Sequence, residues 1–409
     1  MSAQHVSVAI IGAGPAGASC ANSLLIHGAK DVALVDKERF PRDKACGDGI
    51  GPGAVSVMKT LGLGEKLNAH PAIKYLAVSG PSGVRARGPL PPVGGSVPIG
   101  YTIPRVVFDN YIAASAIARG ALDFTGYQLE DAVFENERWT LQLKSRAGDK
   151  LSLTSTVLIG ADGARSRVRR TLGVPLNSDR HTGTAVRIYA EAPNANFDAL
   201  QIDFARELLP GYGWLFPISK TSANIGIGID LENYKKQDKH LEELLRLYQQ
   251  TLNASISYNP DSYAAYILPY GSEMPRLVYP AKRAALIGDA GSMINPLTGE
   301  GIFYGMFAGE LIGRLVAPTL SSGSLVKLDG ALLDFQSGFS RRFKQHFRLN
   351  WLMKEKVEIP RWCDMVINAC NKDRVVLSDL IDLMMGDKTD PGIGTLFRIF
   401  ARNFLPFLP

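Results

Sequence analysis

The sequence predicts an α/β fold: a parallel-sheet domain, an antiparallel-sheet region and a helical tail. Three observations carry this. A β-branched strand near the N-terminus runs straight into a glycine-patterned turn and a helix. Two later strands, at 157–159 and 284–287, end in Gly-Ala-Asp and Gly-Asp loops. Strand-like runs at 184–190 and 223–229 lie between them, the second with period-two alternation.

The first element, residues 6–11 (VSVAII), reads as a buried parallel strand, short and ended by glycine. GAGPAG follows at 12–17, then an apolar helix through about His27, a second strand at 32–35, and Asp36 at its end. Each part has a task in a Rossmann-type unit. Gly12 allows the tight turn, Gly14 lets backbone approach a pyrophosphate, and Gly17 lets helix and strand pack closely. The helix N-terminus offers free N–H groups to phosphate, and Asp36 accepts from a ribose. Ala16 and Lys37, in the same two segments, complete this binding set.

Composition bounds the rest. With 409 residues, 46% hydrophobic and 21% charged, the chain suits two or three domains with a large core, and global disorder is excluded. No stretch approaches the roughly 20 apolar residues that span a bilayer. The opening MSAQHVSVAII has no basic n-region, so no signal peptide is expected. Cys20, Cys46, Cys363 and Cys370 suit neither a disulfide framework nor a zinc site, so a reducing cytoplasm and no metal are expected. The net charge of +6 is modest for this length. Basic residues cluster only at 341–356 and no nucleic-acid-binding motif accompanies them, so no nucleic-acid partner is expected.

Three further segments carry chemistry. FPRDKACGDG occupies 40–49, and VLIGADGARS occupies 157–166. The third joins AALIGDA at 284–290 to NPLTGEGI at 295–302, where a loop opens a helix through about Leu315. An aspartate after a strand suits a ribityl hydroxyl, and N–H groups at the following helix start suit a flavin edge.

With these motifs the sequence resembles the FAD-dependent oxidoreductases of the p-hydroxybenzoate hydroxylase fold. Within them it is most similar to the geranylgeranyl reductase family and its menaquinone-reducing members. GAGPAG, PRDKACGDG, GADGARS and GDAGSMINPLTGEGI carry the likeness, with YGWLFP at 212–217, NIGIG at 224–228 and RVVFD at 105–109. The resemblance implies FAD, with NAD(P)H or a reduced carrier as electron donor. It also implies a discontinuous FAD domain (1–75, 100–180, 275–330), a substrate domain (76–99, 181–274) and a C-terminal helical region (331–409).

It further implies site residues. Gly47, Arg105, Asp162, Gly288, Asp289, Gly299, Gly301 and Ile302 join the cofactor set, with Cys46 beside the flavin. Cys46, Tyr212 and Trp214 are the catalytic candidates, and Tyr212, Trp214, Phe216 and Asn295 the substrate contacts. Local alternatives stand beside several of these. Cys46 is either a proton donor, apt because a thiol near pKa ~8.5 is mostly protonated at neutral pH, or a small buried filler. Arg105 either meets the flavin or forms an ion pair with Asp109, and Asp162 either binds cofactor or holds its own loop. Trp214 and Phe216 are either channel walls or ordinary core.

The leading functional reading is a reductase of C=C bonds in an isoprenoid lipid. The alternative is an FAD-dependent monooxygenase of a hydrophobic natural product. Residues 230–251 read as one amphipathic helix, with leucines at 241, 244, 245 and 248. The tail at 396–408 sets Arg398 and Arg402 on one helical face and Phe397, Phe400 and Phe404 on another. This is the pattern of an interfacial helix at the inner face of a membrane, or of a C-terminal staple.

Overall fold

The computed structural model describes residues 4–92, 98–252 and 255–385, with 394, 395, 398, 399 and 402. The chain opens with β1 (Gln4–Ile11), α1 (Pro15–Ile26), β2 (Val32–Asp36), β3 (Gly49–Ile50) and α2 (Pro52–Thr60). Then come β4 (Tyr75–Ser79), β5 (Arg85–Pro89), β6 (Tyr101–Thr102) and α3 (Arg105–Ala118). β7 (Leu122–Thr125), β8 (Tyr127–Glu135), β9 (Arg138–Ser145), β10 (Lys150–Gly160) and α4 (Arg167–Thr171) follow. The middle of the chain holds β11 (Thr182–Glu191), β12 (Ala199–Asp203), β13 (Tyr212–Pro217), β14 (Ser222–Asp230), α5 (Leu231–Lys235) and α6 (Leu241–Thr251). After β15 (Ser257–Pro269), β16 (Val278–Tyr279) and β17 (Ala284–Leu286), the last described helices are α7 (Ile302–Ser322), α8 (Leu325–Val357), α9 (Pro360–Lys372) and α10 (Arg374–Met385).

Two large sheets divide the work, and β3 and β6 form a third, two-stranded one. The first runs β16-β17-β10-β1-β2-β7, with β8 and β9 attached beside β10. Its centre is parallel, with Val8 opposite both Val157 and Val32. These β-branched strands are buried on both faces, as a parallel sheet between helices requires. α1 lies between this sheet and α7. Gly309 and Gly313 of α7 allow the contact, since a Cβ on Gly309 would stand 2.2 Å from the Ala16 carbonyl oxygen. The second sheet runs β15-β11-β14-β13-β12-β4-β5 and is antiparallel except where β12 meets β4. Its outer face packs on α6, with Leu244, Leu245 and Tyr248 against Val186, Leu215, Ile225 and Ile227. The inner face of its central strands is turned to the loops of the first domain.

One expectation changes. Residues 230–251 form two helices, α5 and α6, separated at 236–240. The described helices within 325–385 divide between two cores. α8 begins at Leu325 and places Phe335, Phe339, Phe343 and Phe347 in the core shared by α1, α2, α3 and α7. α9 and α10 instead cover the far end of the second sheet, with Cys363, Ile367 and Ile381 packed against Leu76, Ala86 and Ile202. The every-fourth phenylalanine stripe explains the division, because it gives α8 one continuous apolar face. In the tail, Arg398 and Arg402 both pair with Asp373, at 3.1 and 3.2 Å, and Ile399 is buried. That arginine face is tied to the protein. Phe397, Phe400 and Phe404 lie outside the described residues.

Candidate functional site

The glycine turn after β1 is built for close approach. Gly12 has φ +106, and a Cβ there would stand 2.2 Å from the Ala161 carbonyl oxygen. A Cβ on Gly17 would stand 1.8 Å from the Gly12 carbonyl oxygen, so helix and turn touch backbone to backbone. Gly14 differs: its φ of −66 suits any residue, and a Cβ would meet only the Arg42 guanidinium, at 3.5 Å. Its missing side chain therefore leaves space in front of α1, whose first turn has no side-chain cap. Gly14 and Ala16 border the main pocket. Asp36 closes β2, one carboxylate oxygen accepting the Ala13 N–H at 2.8 Å and the other the Glu38 N–H at 2.9 Å. Spare lone pairs remain for a ribose, and Lys37 beside it is exposed.

Cys46 and Gly47 lie on the loop after β2 and line the same pocket. Burial pushes the Cys46 thiol up; the Arg105 guanidinium against the sulfur opposes this and Asp48 reinforces it. Arg105 is not a surface residue. It is buried, and Asp109 one turn along α3 accepts from its Nε at 2.6 Å and its Nη2 at 2.8 Å. Arg42 also donates to Asp109, at 2.6 Å. Burial works against the Asp109 carboxylate, but the two arginines and Lys44 hold it below its ordinary range. Arg105 is thus a buried Asp109 partner that also borders the pocket.

β13 turns Tyr212, Trp214 and Phe216 to one face, with successive ring centroids 6.3 Å apart, and all three line the pocket. Gly213 and Leu215 face α6 instead. The neighbouring β14 explains its glycines, since a Cβ on Gly226 would stand 2.2 Å from the Trp214 ring. Expected as catalytic, Tyr212 and Trp214 have their protons committed elsewhere. The Tyr212 hydroxyl donates to the Thr298 carbonyl at 2.8 Å, and the Trp214 indole N–H donates to Asn224 Oδ1 at 2.9 Å. They are walls with anchored polar ends.

Asn224 also donates to the Cys46 carbonyl at 2.7 Å and to Asp48 Oδ2 at 2.8 Å. The Tyr189 hydroxyl donates to the same Asp48 oxygen at 2.8 Å. Burial pushes the Asp48 carboxyl up to about 6 despite these donors.

At the far side, Gly288, Asp289, Gly299, Gly301 and Ile302 border the pocket, and the start of α7 has no side-chain cap. Asp289 accepts from Lys44 at 3.1 Å and from the Tyr266 hydroxyl at 3.0 Å. Burial works against the Lys44 ammonium, yet Asp289 and Tyr266 outweigh it and hold its pKa above the ordinary value. Two expected contacts fall elsewhere. Asn295 is fully buried away from the pocket, its amide donating toward the Tyr304 hydroxyl, His346 and the Met384 carbonyl while Oδ1 accepts from Leu297 N–H at 2.9 Å. It fastens the 295–301 loop to the C-terminal helices. Asp162 accepts from the Ser166 hydroxyl and from the Arg167 and Val168 N–H groups, so it holds its own turn.

Arg42, Lys44, Asp48 and Asn224 were not singled out from the sequence, although each stands inside a motif quoted for it. Their side chains gain meaning only from partners far along the chain. The arrangement fits FAD: two uncapped helix starts, α1 and α7, open on one pocket with a space before Gly14. Among the described residues no group of histidine, cysteine or acidic side chains suits a metal ion, and no helix is long and apolar enough to cross a membrane.

Comparison with known proteins agrees with this geometry. The FAD binding domain family matches residues 5–317. A menaquinone reductase of Mycobacterium tuberculosis is 33% identical, with 97% of each chain covered. Digeranylgeranylglycerophospholipid reductase 1 of Methanothermobacter thermautotrophicus is 29% identical over 78% of this chain and 79% of its own. A geranylgeranyl bacteriochlorophyll reductase-like protein from Thermoplasma acidophilum superposes with a TM-score of 0.81 at 19% identity, covering 98% of this chain and 97% of that one, which shows a shared fold.

Proposed function

The chain belongs to the FAD binding domain family, as a geranylgeranyl reductase-like FAD-dependent oxidoreductase, and on that premise we propose that it saturates C=C bonds in the prenyl chain of an isoprenoid lipid. The observation that carries the reading is Cys46, a thiol kept protonated by burial at an apolar pocket walled by Tyr212, Trp214 and Phe216. The names of the relatives, which reduce a menaquinone and a digeranylgeranylglycerophospholipid, support the substrate class.

FAD would be held by Gly14 and Ala16 at its pyrophosphate, Asp36 at its adenosine ribose, Asp289 at its ribityl chain, and the N-terminus of α7 at its ring. When bound and reduced it supplies the hydride for one alkene carbon, with NAD(P)H or a reduced carrier as the electron source. The aromatic wall orients the chain and excludes water. Cys46 gives its S–H proton to the other carbon, and the Arg105 guanidinium stabilises the thiolate left behind until solvent reprotonates it. Anaerobic incubation of reduced protein with prenyl lipids, followed by product mass, tests this. A gain of two hydrogens is expected. A gain of one oxygen, seen only in air, would instead make the protein a monooxygenase.

A bilayer-borne substrate also needs a docking surface. We propose a peripheral membrane seat on α8, where Arg341, Lys344, Arg348 and Leu352 are exposed along one stripe that continues to the exposed Ile359. Basic residues flanked by apolar ones suit an anionic lipid surface.

A further inference from the structure

Glu300 is the one acidic residue of the loop that opens α7, and it lines the pocket. Its carboxyl stands against Gly51 at the start of α2, where a Cβ would lie 3.2 Å from Oε1 and 3.4 Å from the Met385 methyl group of α10. Oε2 is buried with no hydrogen-bond partner. Among the pocket's other polar side chains, Lys44 is engaged with Asp289, Arg105 with Asp109 and Tyr212 with Thr298, while Arg187 pairs with Asp43 and leaves its Nε without a partner. An unpartnered buried carboxyl on the wall of a largely apolar channel is destabilising unless a ligand completes it.

Resting on the reductase reading, we propose that Glu300 is the head-group subsite of the lipid pocket, donating its O–H to a carbonyl oxygen of a prenylated quinone. The protonation state agrees. Burial alone pushes the Glu300 carboxyl up to about 8, and no charged group among the described residues acts on it. Near neutral pH it is therefore a neutral acid with a proton to donate. A neutral donor suits the carbonyl of an uncharged ring. It disfavours an anionic diphosphate or phosphoglycerol head, which would have to be buried with Lys44, Arg105 and Arg187 each already paired with an aspartate. Leu76, Leu200, Ile202 and Phe216 supply the apolar surface such a ring and its first isoprene units need.

The test is a titration of oxidised, FAD-loaded protein with a short-chain prenylated naphthoquinone, the matching prenyl alcohol and the matching prenyl diphosphate, read by perturbation of the flavin spectrum. The quinone is expected to bind at least about tenfold more tightly than either other ligand, because a site built for one hydrogen bond discriminates against ligands that cannot make it well. Glu300→Leu should lose about tenfold for the quinone with little change for the alcohol. Glu300→Gln keeps an N–H donor and should retain most of the affinity. Wild-type affinity for the quinone should fall as pH rises through about 8, where the acid loses its proton, while Glu300→Gln stays flat. Unchanged quinone binding in Glu300→Leu, tighter binding of the diphosphate, or loss of FAD by Glu300→Leu would overturn the proposal. The two readings fail separately. If no prenyl lipid is reduced while this binding pattern holds, the reductase reading falls alone; if reduction occurs without the discrimination, the subsite falls alone.

Discussion

Asn224 on β14 holds Cys46 by its backbone, the side-chain amide donating to the Cys46 carbonyl at 2.7 Å across the junction of the two domains. The same residue accepts from Trp214 and donates to Asp48, so one side chain sets the flavin-side loop against the aromatic wall.

Asn224→Leu removes all three bonds at a fully buried position. The Trp214 N–H and the Cys46 carbonyl each lose this partner, while Asp48 Oδ2 keeps Tyr189; at roughly 1–3 kcal/mol per stranded group, a loss of about 3 kcal/mol is expected. Urea unfolding of the FAD-bound protein reads this. An unshifted midpoint would mean that the network is easily replaced by water.

Gly12 and Gly14 should fail in different ways. Gly12→Val forces a side chain onto the Ala161 carbonyl at positive φ and is expected to prevent folding. Gly14→Val has room and an ordinary φ, so the protein should fold with a normal circular dichroism spectrum yet stay colourless when FAD is added. Yellow Gly14→Val protein would place the pyrophosphate elsewhere.

Cys46→Ala should keep FAD and lower turnover about 10²-fold, the usual scale for removing a general acid. Cys46→Ser should keep part of the rate. In the wild type, turnover should persist into mildly alkaline solution and fall only as the thiol ionises, because its folded pKa lies above the ordinary thiol value. Wild-type turnover in Cys46→Ala would make the residue packing only.

Liposome co-sedimentation tests the membrane seat. Full-length protein should pellet with anionic vesicles at low salt and be released as salt rises, since exposed charges are screened. Reversing Arg341, Lys344 and Arg348 to glutamate should abolish pelleting without changing thermal stability, because these side chains are exposed. Equal pelleting of both proteins would move the contact away from α8.

Much of the first domain was legible because its signals are local. A strand, a turn that only glycine allows, a helix start and an acid follow one another within about thirty residues, so chain geometry alone places Gly12, Gly14, Gly17 and Asp36 together. The period-two pattern of β13 likewise placed Tyr212, Trp214 and Phe216 on one face. The division of α8 from α9 and α10 was less legible. The phenylalanine stripe of α8 is visible in the sequence, but which core it enters depends on helices and strands hundreds of residues away.

Local order and chemistry, then, were decided by the sequence itself: the nucleotide-binding unit, the flavin-type loops, the thiol at 46 and the aromatic strand. The tertiary structure decided which polar groups are free to act. Asn295 and Asp162 carry plausible motifs yet have their hydrogen bonds filled, Tyr212 and Trp214 have committed their protons, and Glu300 alone on the α7 loop keeps a buried oxygen without a partner. The physical reason is that a buried polar atom's role depends on whether another segment satisfies it, and long-range partners leave no periodic trace in the chain.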